Sequence, residues 1–260
     1  MSIQPALIVD SRAARREFTQ CQMCGKDKEH FKIKLSVCTG CRIATYCSSK
    51  CQRDNWPAHK QLCLQRRKTN EQTADMDRTV KDHNPLTHPL PSELIAELRS
   101  FTQKFNPVIF QAGINIMHMG RHLWQDVWRE LVLMIFLSRL PDIQENSRPW
   151  ARFKVDHVLP VPTDYVMNYT GGDDSFVQLR REREEENLAN GYTGTITAMI
   201  CTGCDSSDPP KMLHNVTFYG FGPHSFVAVE LTPEWQKSFT ENVEKMCGRP
   251  ATELEASSST

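Results

Sequence analysis

The chain of 260 residues carries no net charge, because 31 lysines and arginines balance 31 aspartates and glutamates. Nothing in that balance draws the protein as a whole to nucleic acid or to an acidic membrane surface. Long apolar runs are also missing. The longest, LVLMIFL at Leu131 to Leu137, falls well short of the roughly 20 residues a bilayer demands. The start, MSIQPALIVDSRAARREFTQ, has no basic region followed by an apolar stretch of signal-peptide length. A soluble, intracellular protein is expected, and its ten cysteines are then not read as disulfides. Internal repeats, a phosphate-binding loop, a paired-carboxylate set and a catalytic triad are absent as well. Gly171-Gly172-Asp173-Asp174 reads as a turn and helix cap, since the glycine spacing and lysine of a phosphate loop are missing.

What is present is uneven. From Cys21 to Asn70 eleven lysines and arginines face three acids, a side-chain balance of +8. In the same stretch the ligand-forming residues fall as Cys21-x2-Cys24, Cys38-x2-Cys41, Cys47-x3-Cys51 and His59-x3-Cys63. Two cysteines either side of two residues reach one metal from a tight knuckle, and residues four apart on a helix share a face. Four pairs supply eight ligands, enough for two closed tetrahedral sites. Sulfur and imidazole suit zinc, and a site with no open position is structural. The segment needs such help. Phe31, Ile33, Leu35, Ile43, Tyr46, Trp56 and Leu62 make a thin core, and about 43 residues bury too little apolar surface to fold alone. Two Zn2+ ions are therefore expected, leaving the segment near +5 with seven thiolates bound. His30 is a possible competitor for the first knuckle, although the set is complete without it. Spacing alone permits either sequential or crossed sites.

With these pairs, Tyr46-Cys47 and the Trp-x-x-His of Trp56 to His59, residues 21–63 resemble a MYND-type zinc finger. The resemblance implies a cross-braced arrangement: Cys21, Cys24, Cys47 and Cys51 on one zinc, Cys38, Cys41, His59 and Cys63 on the other. It further implies recruitment of protein partners through short proline-containing peptides, added as a strand along Ile43 to Tyr46. The family's peptide contacts fall on Gln52, Trp56 and Thr39, the last standing where relatives have serine. Some fingers of this type interrupt SET-domain methyltransferases. Here twenty residues precede Cys21, and neither an Asn-His-x-Cys motif nor a tyrosine-bearing acidic motif follows, so recruitment rather than catalysis is expected. The competing readings are an unrecognised activity in the C-terminal region and nucleic-acid binding through the basic finger. Nucleic acid and membrane partners are not expected.

The remaining chain divides by composition into a lead (1–20, helical through Ala13 to Phe18), a finger (21–64), a linker (65–90) poor in large apolar residues, a larger domain (91–248) and a disordered tail (249–260). The fold class expected is α+β, the cross-braced finger being followed by a mostly antiparallel sheet with flanking helices. Ser92 is read as the cap of a helix carrying Leu94, Ile95, Leu98 and Phe101 on one face, with a second helix over Val108 to His118. Strands are expected at 131–140, 153–161, 192–202 and 212–221. A charged helix precedes Gly191, and a last helix starts at Thr232-Pro233-Glu234 and ends near Cys247-Gly248. Arg180 with Glu184 and Arg181 with Glu185 read as pairs on a solvated helix face. Cys201-x2-Cys204, with His214 and His224 downstream, reads first as buried strand cysteine and second as metal or redox chemistry. His118 and His122, four apart, read as core or surface residues. Arg66-Arg67-Lys68 is too short to assign nuclear import. The resemblance of the larger domain is to uncharacterised MYND-finger proteins and brings no activity with it.

Overall fold

The computed structural model describes residues 20–26, 28, 31–83, 89–119, 127–140, 147–169, 174–204, 211–227 and 231–249. The expectations for the N-terminal lead, the C-terminal tail, His30, His122 and the Gly171-Gly172 turn lie outside these residues. The chain divides into two units, with the boundary between Glu93 and Leu94.

The first unit opens with two short antiparallel strands, β1 (Ser36–Val37) and β2 (Thr45–Tyr46), paired Ser36 to Tyr46 and Val37 to Thr45. Helix α1 follows, Ser49–His83, 35 residues long. The stretch expected to be a linker is, as far as His83, a continuation of this helix. Residues 65–83 contain neither glycine nor proline, and arginine, lysine and glutamine, all good helix formers, make up seven of the nineteen. Once the first turns are fixed, each further residue adds a hydrogen bond without a new nucleation cost. Helix α1 also tolerates Pro57, which removes a backbone donor in the helix interior at a cost of about 3 kcal/mol. Ligand residues on both sides of Pro57 hold it in place, as described below.

The second unit is built on a four-stranded sheet. Helix α2 (Pro91–Met119) runs unbroken through Pro107, where two helices were expected. Pro91 fills its first position and the Glu93 carboxylate accepts the Leu90 N–H at 2.7 Å, so the cap comes from Glu93 and not from Ser92. A short helix, α3 (Val127–Glu130), leads into β3 (Leu131–Arg139). A 3-10 turn (Pro149–Ala151) precedes β4 (Phe153–Pro162). Two helices, α4 (Thr163–Tyr169) and α5 (Asp174–Ala189), lead to β5 (Gly194–Cys204) and β6 (Lys211–Phe221). The chain closes with α6 (Pro223–Val227) and α7 (Trp235–Met246).

The strand order is β4-β3-β5-β6. The outer pairs are antiparallel and the central β3–β5 pair is parallel, so the sheet is mostly antiparallel and the fold α+β. Because β3 is central and covered on both faces, it reads as a nearly continuous apolar run. On one face Val132, Met134, Met199 and Cys201 pack with Val166 of α4 and Phe176 of α5. On the other, α2 lies so close that a Cβ on Gly113 would meet Ile196 at 2.6 Å. Asn106 accepts the Tyr219 hydroxyl at 2.7 Å, and the Asn215 amide donates to Thr102 at 2.8 Å. Phe101, Phe105 and Phe153 stack edge-on or tilted in the same layer.

Two polar anchors pin the layers. Buried Glu97 receives Arg139 at 2.9 Å and Arg152 at 2.6 Å. Arg249 reaches the carbonyls of Ala151 and Phe153 and pairs with Glu244. The α5 run 180–186 is not a uniformly solvated face. Arg180 is only 7% exposed, donating to Thr163 and to the Leu131 carbonyl; burial lowers its pKa to about 10, opposed by the neighbouring Glu184, which raises it. Glu184 itself receives the Arg129 guanidinium at 2.8 Å. Gly191 and Gly248 take left-handed φ of 82° and 74° just past the ends of α5 and α7, where a side chain would be strained. Among the described residues, no helix is long and apolar enough to cross a membrane.

Candidate metal centre

Two knuckles form the entrance to the finger, and they share one geometry. After Cys21 and Cys24 the chain turns at Gly25 (φ 69°), whose N–H returns to the Cys21 carbonyl at 2.8 Å. After Cys38 and Cys41 it turns at Arg42 (φ 57°), whose N–H returns to the Cys38 carbonyl, also at 2.8 Å. Arg42 therefore occupies a conformation that favours glycine. The signal in the sequence was the equal spacing of the two pairs; the strain at Arg42 was not read from it.

Helix α1 supplies the other half. Ser48 stands at its start, its hydroxyl accepting the Cys51 N–H at 3.1 Å, in the manner of an N-cap. Cys47 lies just ahead of the helix, Cys51 in its first turn, and His59 and Cys63 two turns on, one turn apart from each other. The crossing is then explicit. Cys21 and Cys24 of the first knuckle meet Cys47 and Cys51, while Cys38 and Cys41 of the second meet His59 and Cys63; within each set all four ligand atoms lie within 4.8 Å of one another. These are the only two such clusters among the described residues. Cys201 is buried in the sheet core instead, and the Cys204 side chain lies outside the described residues.

The separations fit zinc. Bonds of about 2.3 Å at tetrahedral angles put ligand sulfurs about 3.8 Å apart. In the first set, Cys24 to Cys47 is 3.6 Å and Cys47 to Cys51 is 3.5 Å. In the second, Cys38 to Cys63 is 3.9 Å and Cys41 to His59 Nε2 is 3.6 Å. The second set is wholly buried, whereas Cys24 of the first is exposed.

Within each set one thiol is lowered and another raised. Burial raises the Cys41 thiol, but His59 and the amides of Ala44 and Ile43 outweigh it and bring it down to about 6. Burial likewise opposes, and the amides of Cys24, Cys47 and Met23 then lower, Cys21 to about 7. Hydrogen bonds with Cys51 and Cys24 push Cys47 up to about 12, and burial with Cys38 pushes Cys63 up to about 11. Thiols this close, four in the first set and three beside His59 in the second, cannot all ionise against protons alone; a divalent cation removes that repulsion. With four closed ligands on each ion, the two zinc ions are structural.

Around the ligands the core is small. Tyr46 is buried with its hydroxyl on Asn55 at 3.0 Å, burial first and then the surrounding cysteines raising its pKa, and its ring meets His59 edge-on. Trp56 meets the same imidazole edge-on, centroids 6.2 Å apart, yet remains 43% exposed. Gln52 is half-buried and Thr39 exposed. The strand expected to receive a peptide, Ile43 to Tyr46, is occupied along both edges: the Ala44 carbonyl accepts Cys38 N–H at 2.7 Å, and the Thr45 carbonyl accepts Gln22 N–H at 2.9 Å. With Val37 and Thr45 in the non-bonded position of the ladder, the backbone groups of Val37 face outward. The outward edge of this small sheet is β1.

Residues 21–63 match the MYND finger family. Over 43 residues they are 49% identical to the histone-lysine N-methyltransferase SMYD3 of Homo sapiens, and equally to that of Mus musculus, a span of 16% of this chain and 9% of each relative. The chain thus covers less than a tenth of the length of the curated relatives it matches, and no solved structure matches it. Residues 21–63 are a MYND-type zinc finger with two metal sites, a zinc-binding interaction module.

Proposed function

We propose that the finger recruits protein partners by holding short proline-containing peptides against β1 and Trp56, and that the chain works by recruitment rather than by catalysis of its own. The observation that carries the reading is Trp56. A large aromatic side chain 43% exposed on a unit with so little core is poorly spent on packing, and its edge contact with His59 keeps it rigid. Rigid aromatic rings are the natural seat for proline, whose own backbone is already ordered and loses little entropy on docking. The outward groups of Val37 would supply backbone hydrogen bonds, and exposed Thr39 and half-buried Gln52 would fix the peptide's register. The setting is taken as intracellular, where seven ligand cysteines stay reduced.

The test is titration of the zinc-loaded chain with a labelled peptide carrying a Pro-x-Leu-x-Pro core, followed by anisotropy. Binding in the micromolar range that Trp56→Ala weakens at least tenfold, with zinc content unchanged, supports the reading. Equal binding by both forms, or none by either, refutes it.

A further inference from the structure

Trp56 does not stand alone on α1. Positions 53, 60, 64 and 67 fall on one side of a helix, and the side chains there, Arg53, Lys60, Leu64 and Arg67, are all exposed. Trp56 sits three residues after Arg53 and four before Lys60, directly beside both on the helix surface. Leu64, 49% exposed, lies about 12 Å further along the axis, with Arg67 and Lys68 next to it. The surface therefore alternates cation, aromatic, cation, aliphatic, cation.

The charges are uncommitted. Lys50, at the start of the helix, is taken by Asp54 at 3.1 Å. Among the described residues Arg53, Lys60 and Arg67 have no such carboxylate partner. The nearest acid that follows on the same side is Glu71, one turn past Arg67, and beyond it Asp75 pairs with Arg78. A solvated helix normally interleaves opposite charges one turn apart; on the side that carries Arg53, Lys60 and Arg67, over residues 53–68 and about 22 Å of helix, this one does not.

We infer that this stripe seats acidic residues flanking the apolar core of the bound peptide, so that the partners of the finger are acidic as well as proline-containing. The inference rests on the peptide-recruiting reading above and adds the partner's charge to it. The length of the stripe favours a peptide over nucleic acid. A phosphate backbone following the helix would run from Arg67 onto Glu71 after about 22 Å, whereas an extended peptide of six or seven residues ends within it. Cations at the rim of a docking surface act mainly through selectivity and association rate, and they are screened by salt.

The experiment compares two peptides on the full zinc-loaded chain: a Pro-x-Leu-x-Pro core flanked by glutamates, and the same core flanked by glutamines. At about 0.1 M salt the glutamate peptide should bind about tenfold more tightly, and the ratio should shrink toward one near 1 M. In the double variant Arg53→Gln/Lys60→Gln, zinc content measured to confirm folding, the ratio at low salt should collapse to about one. Equal binding of both peptides by the native chain overturns the inference and leaves the recruiting reading standing. A ratio that survives in the double variant overturns the assignment to this stripe. A DNA duplex that displaces the glutamate peptide at lower concentration than the peptide's own dissociation constant identifies nucleic acid as the occupant instead. Failure of both peptides to bind removes the inference together with the reading beneath it.

Discussion

The finger and the sheet domain solve the same problem by opposite means. In the finger, the buried apolar cluster is Ile43, Ala44 and Tyr46 together with the ligand cysteines 21, 38, 41 and 63, so the metal ligands are the greater part of the core. In the sheet domain the core is hydrocarbon: Leu98, Phe101, Phe105, Ile109, Met134, Ile135, Phe153 and Ile200 are all fully buried. A chain segment too short to bury enough apolar surface concentrates its stability in a few strong bonds, whereas a longer one spreads it over many weak contacts. The first arrangement is vulnerable to a chelator and to acid, the second to cavities.

Five changes would sharpen or break that contrast. The largest effect should follow metal removal. Chelation at neutral pH should release two zinc ions and unfold the finger, forfeiting on the order of 10 kcal/mol per ion, while hydrogen exchange in β3, β4 and β5 stays protected. Loss of protection in the sheet would show that the two units are not independent. Acidification should act the same way. Thiolates that bind zinc take up protons as pH falls, so zinc retention should drop with decreasing pH, never with increasing pH; zinc retained at pH 3 would contradict thiolate ligation.

Next comes Phe101→Ala. It removes a fully buried ring that touches Phe105 and Phe153 and should cost about 3–5 kcal/mol in the sheet domain, with two zinc ions still bound. Glu97→Ala should cost about 3 kcal/mol in the same unit, because Arg139 and Arg152 lose the one carboxylate they share. Denaturant melts read by sheet and finger probes separately would decide both cases. A parallel loss of zinc would refute the division. The smallest effect should be Arg42→Gly. Relief of a left-handed residue in the second knuckle should stabilise the zinc-loaded finger by about 1 kcal/mol, seen as slower zinc release to a competing chelator. Faster release would mean that the Arg42 side chain contributes more than its backbone costs.

Much of the sheet domain was legible because its signals are local. The apolar run at 131–137 marks a buried strand, alternation from Phe153 marks a half-buried strand, and Gly191 and Gly248 mark helix ends. Arg180 was misread because its charge suggests solvent, while its burial depends on where α5 lands against Leu131 and Thr163. Residues 65–83 were misread because low apolar content argues against a packed helix. It does not argue against one propagated from a metal-pinned start.

By itself the sequence determined the ligands of the finger: eight residues in four pairs, each pair able to hold one metal by turn or helix spacing alone, and from their sulfur and imidazole chemistry the metal itself. Only the tertiary structure decided which pairs share an ion, which edge of the small strand pair faces outward, and that Arg53, Lys60 and Arg67 line up along the side of Trp56 with no carboxylate partner among the described residues. Spacing along a chain constrains what neighbouring residues can do together. Which distant pairs meet depends on how the intervening loops close in space, and no local pattern carries that information.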